Sequence, residues 1–314
     1  MDKIVLVSTG WGQNYLAHNV AEKSGYFAEQ SLQVVRNPQD PWEGLLTELS
    51  EGTADVALGG LWVPAMYHGS GRDLVCVGQL NGRYAQEVVT REPVADFALP
   101  WLRGKTIVVP GLGGTAGYTF LAGVLKEAGV DPRDCRFVRD LSYEMLTECY
   151  ESGLGDAYLT DLYTAATLQH KGTGVMSYNL ANLGGPVPNS VYYVRRDRVD
   201  ELSEPVGRML RGVQKAMDEL MARQVPNLLE IATQVLPDRD PEILSGVLEY
   251  LLGTKTWEST RITRAAYDRW IEFQYDVPLL PAPIPYEDLV DTRAMDAATP
   301  PETAPAGLEH ATVS

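Results

Sequence analysis

The chain has 314 residues, with 45% hydrophobic and 22% charged side chains, an ordinary globular balance in a length that suits two compact lobes or one large domain. Its formal net charge of −16 repels nucleic-acid backbones and anionic lipid, so nucleic acid is not an expected partner. No run of ~18 apolar residues is present, which excludes direct membrane insertion through a helix.

The first apolar run, Ile4-Val5-Leu6-Val7, starts almost at once and stops at Ser8-Thr9-Gly10. A secretory leader needs a basic start and a longer apolar stretch. This run reads as the first strand of the fold, and the chain as written is expected in the cytoplasm, or outside it if a leader precedes. A helix from about Leu16 ends at Ser24-Gly25, and Leu32–Val35 is a second strand. A helix over Pro41–Ser50 closes at Glu51-Gly52, and Asp55–Leu58 is a third strand before Gly59-Gly60.

The same grammar then returns. Thr106–Val109 is a strand, Gly111-Leu112-Gly113-Gly114-Thr115 a turn, and Tyr118–Ala128 a helix with Gly129 as its cap. Arg136–Val138 is a strand, Tyr143–Glu151 a helix ending at Ser152-Gly153, and Asp156–Leu159 the next strand. Glu51–Leu58 and Ser152–Leu159 align so that Asp55 and Asp156 stand 101 residues apart, while Ile4 and Ile107 stand 103 apart. One βαβαβ lobe built twice explains both offsets.

Past Arg195 the spacing is helical only, over Arg198–Gln224, Asn227–Val235, Pro241–Leu252 and Ile262–Tyr275. Pro278–Pro285 is a proline-rich crossing, Tyr286–Met295 one more short helix, and the residues from Ala297 onward too small and polar to bury. Cys76, Cys135 and Cys149 show no CxxC spacing, and His18, His68, His170 and His310 are scattered. Neither a disulfide framework, a metal site nor a cofactor is expected. Gly111-Leu112-Gly113-Gly114-Thr115-Ala116 fits GxGxxA after a strand, which suits a dinucleotide turn or an ordinary strand–turn–helix junction.

Several phrases together carry a family resemblance: Val20-Ala21-Glu22-Lys23-Ser24-Gly25-Tyr26-Phe27, Leu102-Arg103-Gly104-Lys105-Thr106-Ile107-Val108-Val109 and Leu125-Lys126-Glu127-Ala128-Gly129-Val130-Asp131-Pro132. Gly155-Asp156-Ala157 and Ser190-Val191-Tyr192-Tyr193-Val194-Arg195-Arg196-Asp197 complete the set. In this order they resemble the substrate-binding proteins of nitrate/sulfonate/taurine-type ABC transporters and their relatives in thiamine pyrimidine synthesis. The resemblance implies a two-lobed α/β fold of the type II periplasmic-binding-protein kind, each lobe a mixed sheet flanked by helices, with a helical C-terminal extension. Lobe 1 would comprise residues 1–90 and the return 190–296, lobe 2 residues 91–189, with crossings near Val88-Val89 and Tyr192–Val194 and a disordered tail over 297–314.

In open α/β sheets, ligands lie outside the carboxyl ends of the strands. That rule gathers the loops around Trp11, Gly12 and Asn14, around Gly60 and Trp62, around Gly114 and Thr115, and at Asp161, with Asn189 at the return strand. Glycines there admit backbone N–H groups to an anionic group, or simply make tight turns. Trp11, Trp62, Tyr15, Tyr84, Tyr118 and Tyr163 suit a flat aromatic ligand, or core packing. Arg83 is placed to clamp an acidic group or to pair at the surface, and Asp161 to hold an amine or cap the helix that follows.

Two functions follow from the resemblance. One is a binding protein that carries a small acidic aromatic or heteroaromatic molecule to an ABC permease. The other is a cytoplasmic enzyme on the same fold, acting as a lyase on such an acid. The enzymatic relatives' patterns depart here: Gly59 and Val63 stand where the pyrimidine-precursor synthase has lysine and histidine, and Trp11 and Gly12 where the desulfinase has its cysteine. A catalytic role would then fall to Asp161, Arg83, a tyrosine or His68.

Overall fold

The structure, a computed structural model, describes residues 1–8, 12–38, 44–110 and 116–299. Strand β1 (Asp2–Ser8) buries Ile4, Leu6 and Val7 completely, as a central strand covered on both faces must. Its parallel neighbours are β2 (Leu32–Pro38) and β3 (Val56–Gly60). They are reached through α1 (Leu16–Lys23), α2 (Tyr26–Glu29) and α3 (Gly44–Glu51). After α4 (Trp62–Tyr67), β4 (Leu74–Arg83) forms the far edge of this first sheet, and β5 (Gln86–Thr90) already lies in the second.

The second lobe repeats the first. Strand β6 (Thr106–Val108) lies between parallel β7 (Arg136–Val138) and β8 (Ala157–Asp161), linked by α5 (Ala116–Glu127) and α6 (Tyr143–Glu151). Helix α7 (Leu162–His170), strand β9 (Val175–Asn179) and helix α8 (Leu180–Leu183) follow, and β10 (Pro186–Arg195) returns to the first sheet. Among the described residues the two five-stranded orders are β2-β1-β3-β10-β4 and β7-β6-β8-β5-β9. They superpose term by term, and the antiparallel fourth strand of each sheet comes from the other half of the chain.

The repeat inferred from Asp55 and Asp156 has a physical basis. The Asp55 carboxylate accepts from the Val5 N–H at 2.8 Å, and the Asp55 N–H donates to the Val5 carbonyl at 2.9 Å. Asp156 does the same for Thr106, at 2.8 and 2.7 Å. Each aspartate thus pins the start of its third strand to the first, where the parallel ladder begins. In the first lobe Arg198 adds an ion pair to Asp55 at 2.8 Å.

The C-terminal helices grip both lobes. Helix α9 (Val199–Met221) packs on α1 and α2, and α10 (Leu228–Val235) bridges α1 and α11 (Pro241–Leu252). Helix α11 lies on α7 of the second lobe, while α12 (Arg264–Asp276) packs on α5 and β10. Arg269 holds Glu127 of α5 through two bonds of 2.7 and 2.6 Å, and Lys126 meets Asp276 at 2.9 Å. Within α5, Gly123 leaves room for the Phe273 ring, since a Cβ there would stand 2.3 Å from it. The imidazole of His18 is wholly buried beside Phe27, with Nδ1 2.9 Å from the Tyr192 hydroxyl; burial lowers its pKa to about 3 and keeps it neutral.

Several boundaries differ from those read in the sequence. The chain leaves the first sheet at Tyr84-Ala85 rather than near Val88-Val89, and it re-enters at Pro186, before Tyr192. Strands β4 and β9 lie outside the repeat read from punctuation, because they follow the third strand of each unit and carry no matching glycine–aspartate mark. The single helix expected over Tyr286–Met295 is two, α13 (Tyr286–Leu289) and α14 (Arg293–Ala298). They are split where Val290 bridges to Cys76 on β4. Helix α14 thus includes Ala297 and Ala298, two residues assigned to the tail; residues 300–314 lie outside the described ones.

Asp156→Ala is expected to lower stability by roughly 1–2 kcal/mol, the cost of leaving the partly buried Thr106 N–H without its acceptor. Denaturant unfolding measures it. A variant within about 0.3 kcal/mol of the parent would show that the clamp contributes nothing beyond the ladder it closes.

Candidate functional site

The carboxyl ends of β1, β3 and β4 and the start of β10 share one edge of the first sheet, since β10 runs antiparallel to β3 and β4. The corresponding edge of the second sheet carries the ends of β6, β8 and β9 and the start of β5, with Gln86 opposite Asp161. The two edges meet across a gap. Gln13, in the turn before α1, donates from Nε2 to Asp161 Oδ1 at 3.0 Å, one lobe to the other.

On the first lobe, the gap rests on a hydrogen-bonded floor. Trp257 Nε1 donates to the Asn14 carbonyl and to Asn81 Oδ1, both at 3.1 Å, and Asn81 Nδ2 donates to Ser190 Oγ at 3.2 Å. The Asn189 carbonyl accepts from the Leu61 N–H, and Gly60 pairs with Ser190 in the sheet. Asn14, Gly60 and Asn189 are therefore brought together. Trp62, first residue of α4, lays its indole across Gly60; a Cβ on Gly60 would stand 2.4 Å from the indole nitrogen. The glycine is needed there for close approach.

On the second lobe, Asp161 is the N-cap of α7. Its Oδ1 accepts from the N–H groups of Tyr163 and Thr164 at 2.9 and 3.2 Å, and Oδ2 accepts from the Thr164 hydroxyl at 2.5 Å. With Gln13 also on Oδ1, the carboxylate is fully engaged. Gln86 donates to the Tyr143 hydroxyl at 3.2 Å, and Tyr84 is buried beneath the start of α5 with its ring 4.7 Å from Phe120.

A cavity of about 600 Å³ opens along this gap, lined by Gly12, Gln13 and Asn14 on one side and Tyr143, Thr147, Asp161, Tyr163 and Thr164 on the other. Arg239 reaches it from the C-terminal extension. Its guanidinium lies over the Tyr163 ring, 4.3 Å from the centroid, and the Asp240 N–H donates to the Tyr163 hydroxyl at 2.7 Å. Arg239 is half-buried and makes no ion pair among the described residues; Lys171, farther along, is paired to Glu151 at 2.9 Å. Glu144 and Glu148 are exposed on the rim.

Of the residues singled out from sequence, Gly12, Asn14 and Asp161 line the cavity, while Gly60, Trp62 and Asn189 lie at the first-sheet edge beside it. Arg83 ends β4 opposite Pro186, half-buried, its side chain without a hydrogen bond or ion pair among the described residues. Trp11, Gly114 and Thr115 lie outside the described residues. Tyr118 does not face the gap; it lines a separate cavity with Pro132 and Pro278, under the Arg139 guanidinium, because α5 turns that face outward. His68 is exposed just past α4.

Tyr143 and Arg239 were not singled out in the sequence, and Gln13 was read only as a member of the strand-tip loop Gly10–Asn14. Gln13 adjoins Gly12, and Arg239 sits in the break Pro237-Asp238-Arg239-Asp240-Pro241, the one local signal available. A larger cavity of about 810 Å³ lies at the other end of the first sheet, near Tyr67 and Leu74. Two of its three arginines are committed: Arg195 binds Asp197 and the Ser50 carbonyl, and Arg196 binds the Asp288 carbonyl, while Arg72 is exposed, with no side-chain hydrogen bond or ion pair among the described residues. Among the described residues no group of three or more His, Cys, Asp or Glu side chains is arranged to hold a metal ion, and no helix is long and apolar enough to cross a membrane.

Comparison with known proteins agrees with this architecture. The chain is similar to the Bacillus subtilis (strain 168) protein YtlA, whose name marks it as a proposed binding protein, with 23% identity covering 89% of this chain and 85% of that one. Among solved structures it resembles the alkanesulfonate-binding protein SsuA from Xanthomonas axonopodis pv. citri bound to MOPS, at a TM-score of 0.69 and 18% identity over 93% of this chain and 99% of the other. The periplasmic aliphatic sulphonate binding protein SsuA from Escherichia coli gives a TM-score of 0.73 at 14% identity, covering 100% and 97%. Residues 13–225 match the model described as "NMT1/THI5 like", and with more than half its length inside that match the chain belongs to the NMT1/THI5-like family.

Proposed function

We propose that this chain binds a small organic acid, aromatic or heteroaromatic, in the gap between its lobes, and delivers it to an ABC-type permease. The observation that carries the reading is the pairing of Arg239 with Tyr163: a half-buried guanidinium without an acidic partner among the described residues, lying over an aromatic ring at the edge of the cavity. Such a group offers a planar fork to a carboxylate or sulfonate and leaves the ring beside it for an apolar body. Arg83 at the tip of β4, its side chain also unpaired among the described residues, supports an anionic ligand as well. The starts of α1, α4 and α7 are directed at the same gap, although Asp161 already occupies the free N–H groups of α7.

The relatives point the same way. Both SsuA proteins are named for binding sulfonates, anions of the class that an unpaired arginine recognises. A carrier of this kind works outside the cytoplasmic membrane. The ten ligand residues read from sequence belong to this proposal, with Arg239, Tyr143 and Gln13 added to them.

Purified protein screened by thermal shift against aromatic carboxylates and sulfonates, aliphatic sulfonates and nucleotides is expected to be stabilised by acids of the first two classes. Stabilisation by nucleotides alone would overturn the reading. For the best acid found, Arg239→Ala is expected to weaken binding by roughly ten- to a hundredfold, the worth of a charge-assisted hydrogen bond, in isothermal titration. Arg239→Lys should fall between, because it keeps the charge and loses the planar fork. Equal affinity in all three proteins would remove Arg239 from the site.

A further inference from the structure

Glu87 is the second residue of β5, four positions past the end of β4, where the chain passes from one sheet to the other. Its side chain is 1% exposed, and no lysine, arginine or histidine pairs with it among the described residues. A carboxylate in such a place is expensive unless it is paired or neutral. What it does touch comes from the C-terminal extension: Tyr250 of α11 donates to Glu87 Oε2 at 3.0 Å. This bond ties the second lobe to a helix whose other neighbour, α10, packs on the first lobe.

The surroundings of Glu87 are otherwise neutral. On β9, Asn179 stands opposite it in the sheet; its oxygen caps α8 by accepting from the Asn182 N–H, and its buried amide nitrogen, beside Tyr250, has no partner of good geometry. The Tyr178 N–H supplies one bond to the carboxyl, and Thr160 is the β8 neighbour. On α7 the titratable groups are Tyr163, bonded to the Asp240 N–H, and His170, exposed in the groove that Tyr250 lines. On α11 they are Glu242, exposed in that groove, and Glu249, paired to Arg223. Among the described residues, no charge compensates an ionised Glu87.

We propose that Glu87 is a proton-binding latch on the seam between the second lobe and α11, and that its deprotonation loosens α11 from β5 and eases separation of the lobes. Burial pushes the Glu87 carboxyl up to about 7, with the Tyr250 and Tyr178 bonds offsetting part of that rise. When the seam opens and water reaches the group, it returns to the ordinary carboxylate range. The closed seam therefore holds the proton more tightly, is most stable at low pH, and weakens as pH rises from about 4.5 through 7. Solute capture becomes proton-linked, tighter in acid than in base for a ligand that needs the closed form. That consequence rests on the gap being the binding site; the latch itself does not.

The test is made on unliganded protein, so that its failure is separate from a failure of the binding reading. Hydrogen exchange along α11, corrected for intrinsic rates and compared with α12, is followed from pH 5.5 to 8.5. Protection of α11 is expected to fall by roughly ten- to thirtyfold relative to α12, and to stay level in Glu87→Gln, which keeps shape without charge. A level wild-type profile, or the same fall in Glu87→Gln, overturns the proposal. Should Glu87→Gln not fold, carboxyl NMR titration of the wild-type side chain decides: a midpoint near 7 supports the latch, and one in the ordinary carboxylate range overturns it. Tyr250→Phe, which removes the donor that favours the ionised form, should move that midpoint upward.

Discussion

Strands β5 and β10 are exchanged between the two halves of the chain, and each supplies the antiparallel fourth strand of the sheet built by the other half. A sheet missing its fourth strand would expose the ladder groups of β3 or β8 on one side and those of β4 or β9 on the other, a large unsatisfied edge. Neither lobe is therefore complete without a segment from its partner. The two crossings that result, at Tyr84-Ala85 and just before Pro186, lie side by side and hold the strand tips of the lobes toward one another. The gap, its lining and the Gln13–Asp161 contact are consequences of that exchange.

The C-terminal helices add a second constraint. Helix α12 bonds α5 through Arg269 and Glu127, while α11 touches the second lobe through Tyr250 with Glu87 and through the Asp240–Tyr163 bond. The Arg269 pair is charged and partly exposed, so salt screens it. The Glu87 contact is buried and carries a single titratable carboxyl. Of the two attachments, the one that also carries Arg239 to the cavity is thus the one sensitive to protons. Polar groups in such a seam have high stakes, because an unpaired charge there costs far more than a neutral bond yields.

Much of the fold was legible because its marks are local. Glycine and aspartate at the helix–strand junctions recur at nearly one spacing, and the two aspartates turn out to make the same pair of bonds to the first strand of their lobes. The apolar runs of β1, β3, β6 and β8 read as buried strands for the same reason that they are buried. Strands β4, β5 and β9 were not legible as members of a particular sheet. Their composition says strand, but which edge they join depends on partners about 70 to 120 residues away.

The site divides in a similar way. Residue order alone determined the two-lobed α/β class, the strand-tip loops at Gly12-Asn14 and Gly60-Trp62, and the capping option for Asp161, since each follows from spacing and from what glycine, aspartate and tryptophan do at a strand end. Only the tertiary structure decided that Asp161 is consumed by its helix and by Gln13, that Tyr118 faces elsewhere, and that Arg239 and Glu87 stand at the two sides of one helix-to-lobe seam. The reason is physical. A cap or a turn is settled by neighbours within four residues, whereas an unpaired guanidinium or a buried carboxyl exists only once distant segments have packed and removed water from it.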